Sequence, residues 1–129
     1  MIGIFTKASQ YNVRETMDKL VLSLLKMDVV IYARINRQLE QKWFGRQALP
    51  FEYILCDSPE ITGLSVELNP LKAFELPAVV IVWEDSEKRC WVACKKQPDA
   101  NKTADPGPGD MLSQILETAI RGVLSTGSS

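Results

Sequence analysis

Histidine is absent from all 129 residues. Within this chain that excludes Ser-His-Asp and Cys-His activation of a nucleophile, and any zinc or haem site ligated by imidazole. Acid–base chemistry would fall to a carboxylate, lysine, tyrosine or cysteine with a shifted pKa. Cysteine is scarce: Cys56, Cys90 and Cys94 are an odd number with no C-x-x-C spacing. If Cys90 and Cys94 share a strand, their Cα atoms lie ~13 Å apart, beyond disulfide reach. Buried free thiols in a reducing cytosol are the expectation. An excess of either charge is also missing. Fifteen basic residues against sixteen acidic ones leave a net charge of -1, so no bulk attraction draws the chain to nucleic acid or an anionic membrane. No apolar run approaches the ~18 residues of a membrane span. The apolar stretch Met1 to Phe5 is too short for a signal peptide. A cytoplasmic protein without metal or cofactor is expected, since phosphate-binding loops, serine elbows and metal-ligand spacings are all missing as well.

What is present reads as one domain over residues 1–129, of a size that buries roughly two-thirds of its unfolded surface. The most informative stretch is ELPAVVIVWEDSEKRCWVACK, Glu75 to Lys95. Ala78 to Trp83 is dense in β-branched residues and suits a central strand. Glu84 to Arg89 makes a charged turn, and Cys90 to Cys94 returns as a second strand.

Upstream, Gly3 to Ala8 reads as a strand. Asn12 caps a helix with Glu15 three residues on. Val13, Met17, Leu20, Val21, Leu24 and Leu25 form its apolar stripe, and Arg14–Asp18 and Glu15–Lys19 have the spacing of ion pairs on its other side. Val29 to Ile35 is a second strand. Asn36 caps a short helix through Leu39 and Trp43 that Gly45 stops. Phe51 to Cys56 alternates, with Phe51, Tyr53 and Leu55 on one face and Glu52, Ile54 and Cys56 on the other. Asp57, Ser58 and Pro59 break that strand. Glu60 to Leu68 fits either an extended strip or a helical turn, and Asn69-Pro70 starts a short helix through Phe74. Residues 97–110 hold three prolines and two glycines and read as a long solvated connection. Asp110 is expected to cap a last helix with a wide apolar face from Met111 to Leu124, and residues 126–129 to fray. Hairpin-linked later strands imply an α+β fold: an antiparallel sheet with both main helices packed on one face. The other face is left for a second copy of the chain or a ligand.

Several of these segments together resemble the bacterial family called domain of unknown function 302. Val30, Ile31, Tyr32, Ala33, Arg34 and Ile35 match a strand of the f-ar-i type in that family, Leu55 to Pro59 a strand that breaks at proline, and Pro70, Ala73, Glu75, Leu76 and Pro77 its P-x-x-A-x-[DE]-L-P pattern. Val79 to Val82, Glu84, Asp85, Trp91 and Val92 continue the match, which covers about residues 5 to 96 and, more loosely, the last helix. The resemblance implies a β-α-β(4)-α fold with a curved antiparallel sheet, similar to one half of a TATA-box-binding protein, and a homodimer. No DNA-binding role follows from a shared fold. Two departures stand out: Asn36 and Arg37 occupy places where the family commonly has an acidic residue and a histidine, and Asp57-Ser58-Pro59 stands for Gly-Asn-Pro.

The candidate ligand-binding residues are Arg34, Asn36 and Arg37 at the end of one strand, with Asp57 and Ser58 at the end of another. Guanidinium forks suit a small anion, and an apolar ligand is the other expected class. If the arginines only bind, Arg34→Ala and Arg37→Ala should leave stability within ~0.5 kcal/mol. Three thiolates would favour a soft metal only if the third and fifth strands were neighbours. Trp43, Phe44, Trp83 and Trp91 are expected in core or dimer packing, and the acidic turn Glu84, Asp85 and Glu87 as a solvated hairpin end. The leading expectation is a small non-catalytic, homodimeric ligand-binding or accessory protein. An enzyme using a carboxylate or thiol, and a module docking a protein partner through the last helix or the long connection, are the alternatives.

Overall fold

The alternation seen in the sequence becomes a sheet with one buried face. A computed structural model describes residues 3–96 and 107–125. Five strands, β1 Ile4–Ser9, β2 Val30–Asn36, β3 Phe51–Asp57, β4 Ala78–Glu84 and β5 Cys90–Lys95, form one antiparallel sheet in the order β1-β5-β4-β3-β2. The apolar hairpin therefore supplies the sheet's centre, as its β-branched density requires. Helices α1 Val13–Lys26 and α4 Pro108–Leu124 bury Met17, Leu20, Leu24, Leu112, Leu116 and Ile120 against Ile54, Val80, Val82 and Val92. This is the expected α+β arrangement, with both long helices on one face. The expected connection over 97–110 lies outside the described residues from 97 to 106, as does the tail 126–129.

On the opposite face the register aligns Ile35, Tyr53, Ile81 and Ala93 in one row and Phe51, Trp83 and Trp91 in the next. All of these but Ala93 remain only partly buried. Trp83 and Trp91 sit directly opposite one another on this open face. Trp43 and Phe44, expected in packing, are 74% and 72% exposed: α2, Arg37–Trp43, buries no residue at all.

Several local expectations hold in detail. Asn12 accepts from the Glu15 amide at 2.8 Å and Asn36 from the Leu39 amide at 2.9 Å, each satisfying an otherwise orphaned helix donor. Gly45 takes φ 72° beyond α2, where an L side chain would be strained. In the hairpin, Asp85 Oδ1 accepts from the amides of Glu87 and Arg89, and Oδ2 from the Trp91 indole at 2.8 Å. The acidic turn is thus built around one carboxylate, whose pKa the indole and those amides lower.

Others are corrected. Leu25, placed on the buried stripe, is 51% exposed. The anticipated pairs within α1 give way to partners elsewhere: Asp18 binds Arg34, and the Lys19 ammonium stands 4.6 Å over the Tyr11 ring. Residues 59–68 form α3, Pro59–Leu68, with Pro59 in the first turn. Ile61, Leu64 and Leu68 are spaced for a helix but face solvent, and only Thr62 is buried. Asp110 does not begin α4. The helix starts two residues earlier, at Pro108, where a missing amide hydrogen costs nothing, and the Asp110 carboxylate reaches back to the Gly107 amide at 3.1 Å.

The acidic member of the P-x-x-A-x-[DE]-L-P pattern acquires a structural role here. Glu75 closes the 3-10 helix Pro70–Glu75, and its Oε1 accepts from the Gly109 amide in the first turn of α4 at 3.2 Å. A Cβ at Gly107 would lie 2.6 Å from that oxygen, so glycine keeps the approach open. A carboxylate at a helix N-terminus contributes about 0.3–1 kcal/mol. Glu75→Ala is accordingly expected to lower stability by that amount in urea denaturation, with Glu75→Gln losing less. Equal losses for the two would mean the charge plays no part.

Candidate functional site

Strand direction decides which candidate residues meet. Strands β2 and β3 run antiparallel, pairing Asn36 with Glu52 and Val30 with Asp57. The end of β2, carrying Asn36 and Arg37, therefore lies beside the start of β3, while Asp57 and Ser58 stand a full strand length away, roughly 20 Å at 3.3 Å per residue. The structure does not bring the five into one pocket.

The first group is largely occupied with holding the fold. Arg34 points to the helix-covered side of the sheet edge. It donates through Nε to Glu52 Oε1 and through Nη1 to Asp18 Oδ1, both at 2.7 Å, and through Nη2 to the Arg14 carbonyl at 3.4 Å. Partial burial works against the guanidinium's charge, but Glu52 and Asp18 outweigh it and raise the pKa. Asn36 is the α2 cap, and Arg37 forms an exposed 3.1 Å pair with Glu40. A cavity of about 300 Å³ lies at this end, lined by Arg14, Asn36, Gln38, Glu52 and Glu84 among others.

The second group borders a larger space. Asp57 lines a cavity of about 550 Å³ with Tyr32, Pro59, Thr62, Gly63, Val66, Ala73, Leu76 and Pro77. Its carboxylate is buried, and Oδ1 takes the Thr62 hydroxyl at 2.8 Å, a proton that Thr62 shares with the Ser58 carbonyl at 3.1 Å. Ser58 is 1% exposed and its Oγ has no hydrogen-bond partner among the described residues. Tyr32 reaches the cavity because the β2–β3 register shifts between Ile31 and Ala33, and a bulge re-aims the side chain it displaces. The peptide bond before Pro77 is cis. Tyr32, Thr62, Val66, Leu76 and Pro77 were not among the candidate binding residues, although Leu76 and Pro77 belong to the family pattern. The one available signal was Asp57-Ser58-Pro59 followed by Thr62, a helix start with a hydroxyl one turn in.

The cysteines are core residues. Strand β4 separates β3 from β5, so the thiols do not converge, and among the described residues no three His, Cys, Asp or Glu side chains are grouped to hold a metal. Burial pushes Cys56 up to about 12, with Asp57 adding to it, and Cys94 up to about 12, with Glu117 and Cys56 adding. Burial also raises Cys90. Thiols held protonated are poor nucleophiles.

Two predictions follow from these environments. Arg34→Ala strands the buried Glu52 carboxylate and should cost about 1–3 kcal/mol in urea denaturation, whereas Arg37→Ala should stay within ~0.5 kcal/mol; small effects from both would mean the Arg34 pairs contribute nothing net. The thiols bind their protons more tightly folded than unfolded, so their contribution is complete below the unfolded pKa of ~8.5 and fades as pH climbs toward about 12. Denaturation midpoints should fall between pH ~9 and ~11, and a Cys56→Ala/Cys94→Ala variant, though less stable, should show a shallower decline. An unchanged slope would place the pH dependence elsewhere.

Comparison with known proteins agrees with this fold. The crystal structure of an uncharacterized conserved DUF302 protein from Bacillus stearothermophilus matches with a TM-score of 0.72 over 95% of each chain, at 15% identity. Fluoride-specific ion channels of Brucella suis and Brucella abortus are 22% identical over 90 residues, 70% of this chain. The chain spans about a third of the length of these curated relatives, 35% and 33%. The model of the family described as domain of unknown function DUF302 matches residues 5–124. The β-α-β(4)-α order, the shared fold and that nearly complete match make this chain a member of the DUF302 family.

Proposed function

We propose that the protein is a non-catalytic, small-ligand-binding accessory module that works as a homodimer. The cavity beside Asp57 carries the ligand reading. At about 550 Å³ it has the size of a small-molecule site, and its walls are mainly apolar around a few polar groups, the usual composition of such sites. Protonated, buried thiols weigh against the thiol-enzyme alternative. The Brucella relatives support an accessory role: their names describe membrane channels, yet no helix among the described residues is long and apolar enough to cross a membrane. A segment of this kind fits a module attached to a transporter better than the pore itself.

The dimer reading rests on apolar surface. Leu64, Leu68, Leu71 and Phe74 are 66%, 78%, 71% and 89% exposed and lie on α3 and the 3-10 helix, which pack against each other and against α4. Contiguous patches of this kind mark interaction sites, and closed two-fold pairing is the commonest way to cover them. Native mass spectrometry of gently purified protein tests both parts. A dimer that dissociates in a Leu64→Asp/Phe74→Asp variant, and extra retained mass that a Val66→Trp change in the cavity wall displaces, are the expected results. A monomeric wild-type protein would remove the assembly, and retained mass indifferent to Val66→Trp would remove the site.

A further inference from the structure

The charge of the larger cavity selects its ligand more narrowly, and this deepens the ligand reading on which it rests. Asp57 is 8% exposed, and among the described residues it forms no ion pair with a Lys or Arg and no basic side chain lines the cavity. Its partner in the fold is a neutral hydroxyl, Thr62, bound to Oδ1. The N-terminus of α3 offsets part of the negative charge, by the equivalent of about half a proton charge at most. A buried carboxylate met only by a hydroxyl and a helix end is under-compensated, because removing a charge from water is costly until an opposite charge or several donors replace the solvent. Around it the wall is apolar, through Val66, Leu76 and Pro77, and one aromatic ring, Tyr32, is turned to the same space by the β2 bulge. A carboxylate and an aromatic ring bordering an apolar hollow are the elements that recognise an organic cation, the first by a charge-assisted hydrogen bond and the second through its quadrupole.

We infer that the cavity bordered by Asp57, Thr62 and Tyr32 binds a small amphipathic amine, its protonated nitrogen against Asp57 and its apolar body against Val66, Leu76 and Pro77. This reverses the sign of ligand expected from the arginines, which the fold has already engaged with Glu52, Asp18 and Glu40. The hydrogen bonds available to the ammonium do not require Thr62 to let go, since it holds only one of the two carboxylate oxygens.

Three probes of matched shape test the inference on the full chain: 4-phenylbutylamine, 4-phenylbutanol and 4-phenylbutanoate, titrated into isotope-labelled protein while the amide signals of Gly63 and Val66 are followed. The amine should bind roughly tenfold more tightly than the alcohol, as one charge-assisted hydrogen bond provides, and the carboxylate most weakly. Asp57→Asn keeps the side chain's shape and an acceptor for Thr62, so it should still bind the alcohol and erase the amine's advantage. Raising ionic strength should weaken the amine alone. Carboxylate binding as tight as that of the amine, or an amine advantage that survives Asp57→Asn, overturns the cation assignment while leaving the cavity as a ligand site. No response to any of the three at Gly63 and Val66 overturns the cavity reading itself, and the cation assignment with it.

Discussion

Everything in this molecule depends on a sheet that is buried from one side only. Two long helices are enough to cover one face of five strands, and the residues facing them, Ile54, Val80, Val82 and Val92, are fully enclosed. Alternation then sends their neighbours Tyr53, Ile81 and Trp83 to the opposite face, where they stay partly bare. These are not polar residues. The apolar character of the uncovered side is what separates this sheet from an ordinary half-solvated one, in which the outward positions would be hydrophilic.

The same constraint explains the arginine. On edge strand β2, Arg34 faces the covered side, next to Glu52 on β3 and under α1. A carboxylate so close to the core needs a countercharge, and the guanidinium fork supplies it while fastening Asp18 of the helix to the sheet edge. A residue that looked like a ligand-binding group in the sequence is a strut between layers. Asp57 is the counterpart of Glu52 at the far end of β3, buried to a similar degree but with no such cation beside it among the described residues. The contrast between the two carboxylates on one strand locates the chemistry more sharply than either does alone.

The strands and long helices were legible because their signals were redundant. The run Ala78 to Trp83 combined β-branched density with turn residues on both sides, and α1 combined a cap with a clean period. The segment 60–68 was ambiguous because Leu64, Val66 and Leu68 satisfy an extended strip as well as Ile61 and Leu64 satisfy a helix, and solvent exposure gave burial nothing to arbitrate. The ion pairs expected inside α1 failed for another reason. Spacing reveals only partners on the same helix, and Asp18 had a better one 16 residues downstream on a different element, at Arg34. The candidate site was grouped by residues at strand ends, but an antiparallel pair brings the end of one strand to the beginning of the next. Asp57 was found and its setting was not, since Tyr32, Leu76 and Pro77 come together only once a bulge and the 3-10 helix are in place.

The pairing of β1 with β5 carries a consequence for how the chain is made. Ile4 lies opposite Lys95, and β1 is an edge strand whose single neighbour is β5. During synthesis β1 therefore leaves the ribosome with no partner strand until β5, Cys90–Lys95, has followed it. The β4–β5 hairpin, by contrast, closes over a five-residue turn and needs only its own neighbourhood, and contacts between distant parts of a sequence form slowly because the intervening chain must first be ordered. Of the five strands, the one that leaves the ribosome ahead of the others is the last that can dock. In the interval it is an unpaired edge, available to any other nascent chain carrying a free β5.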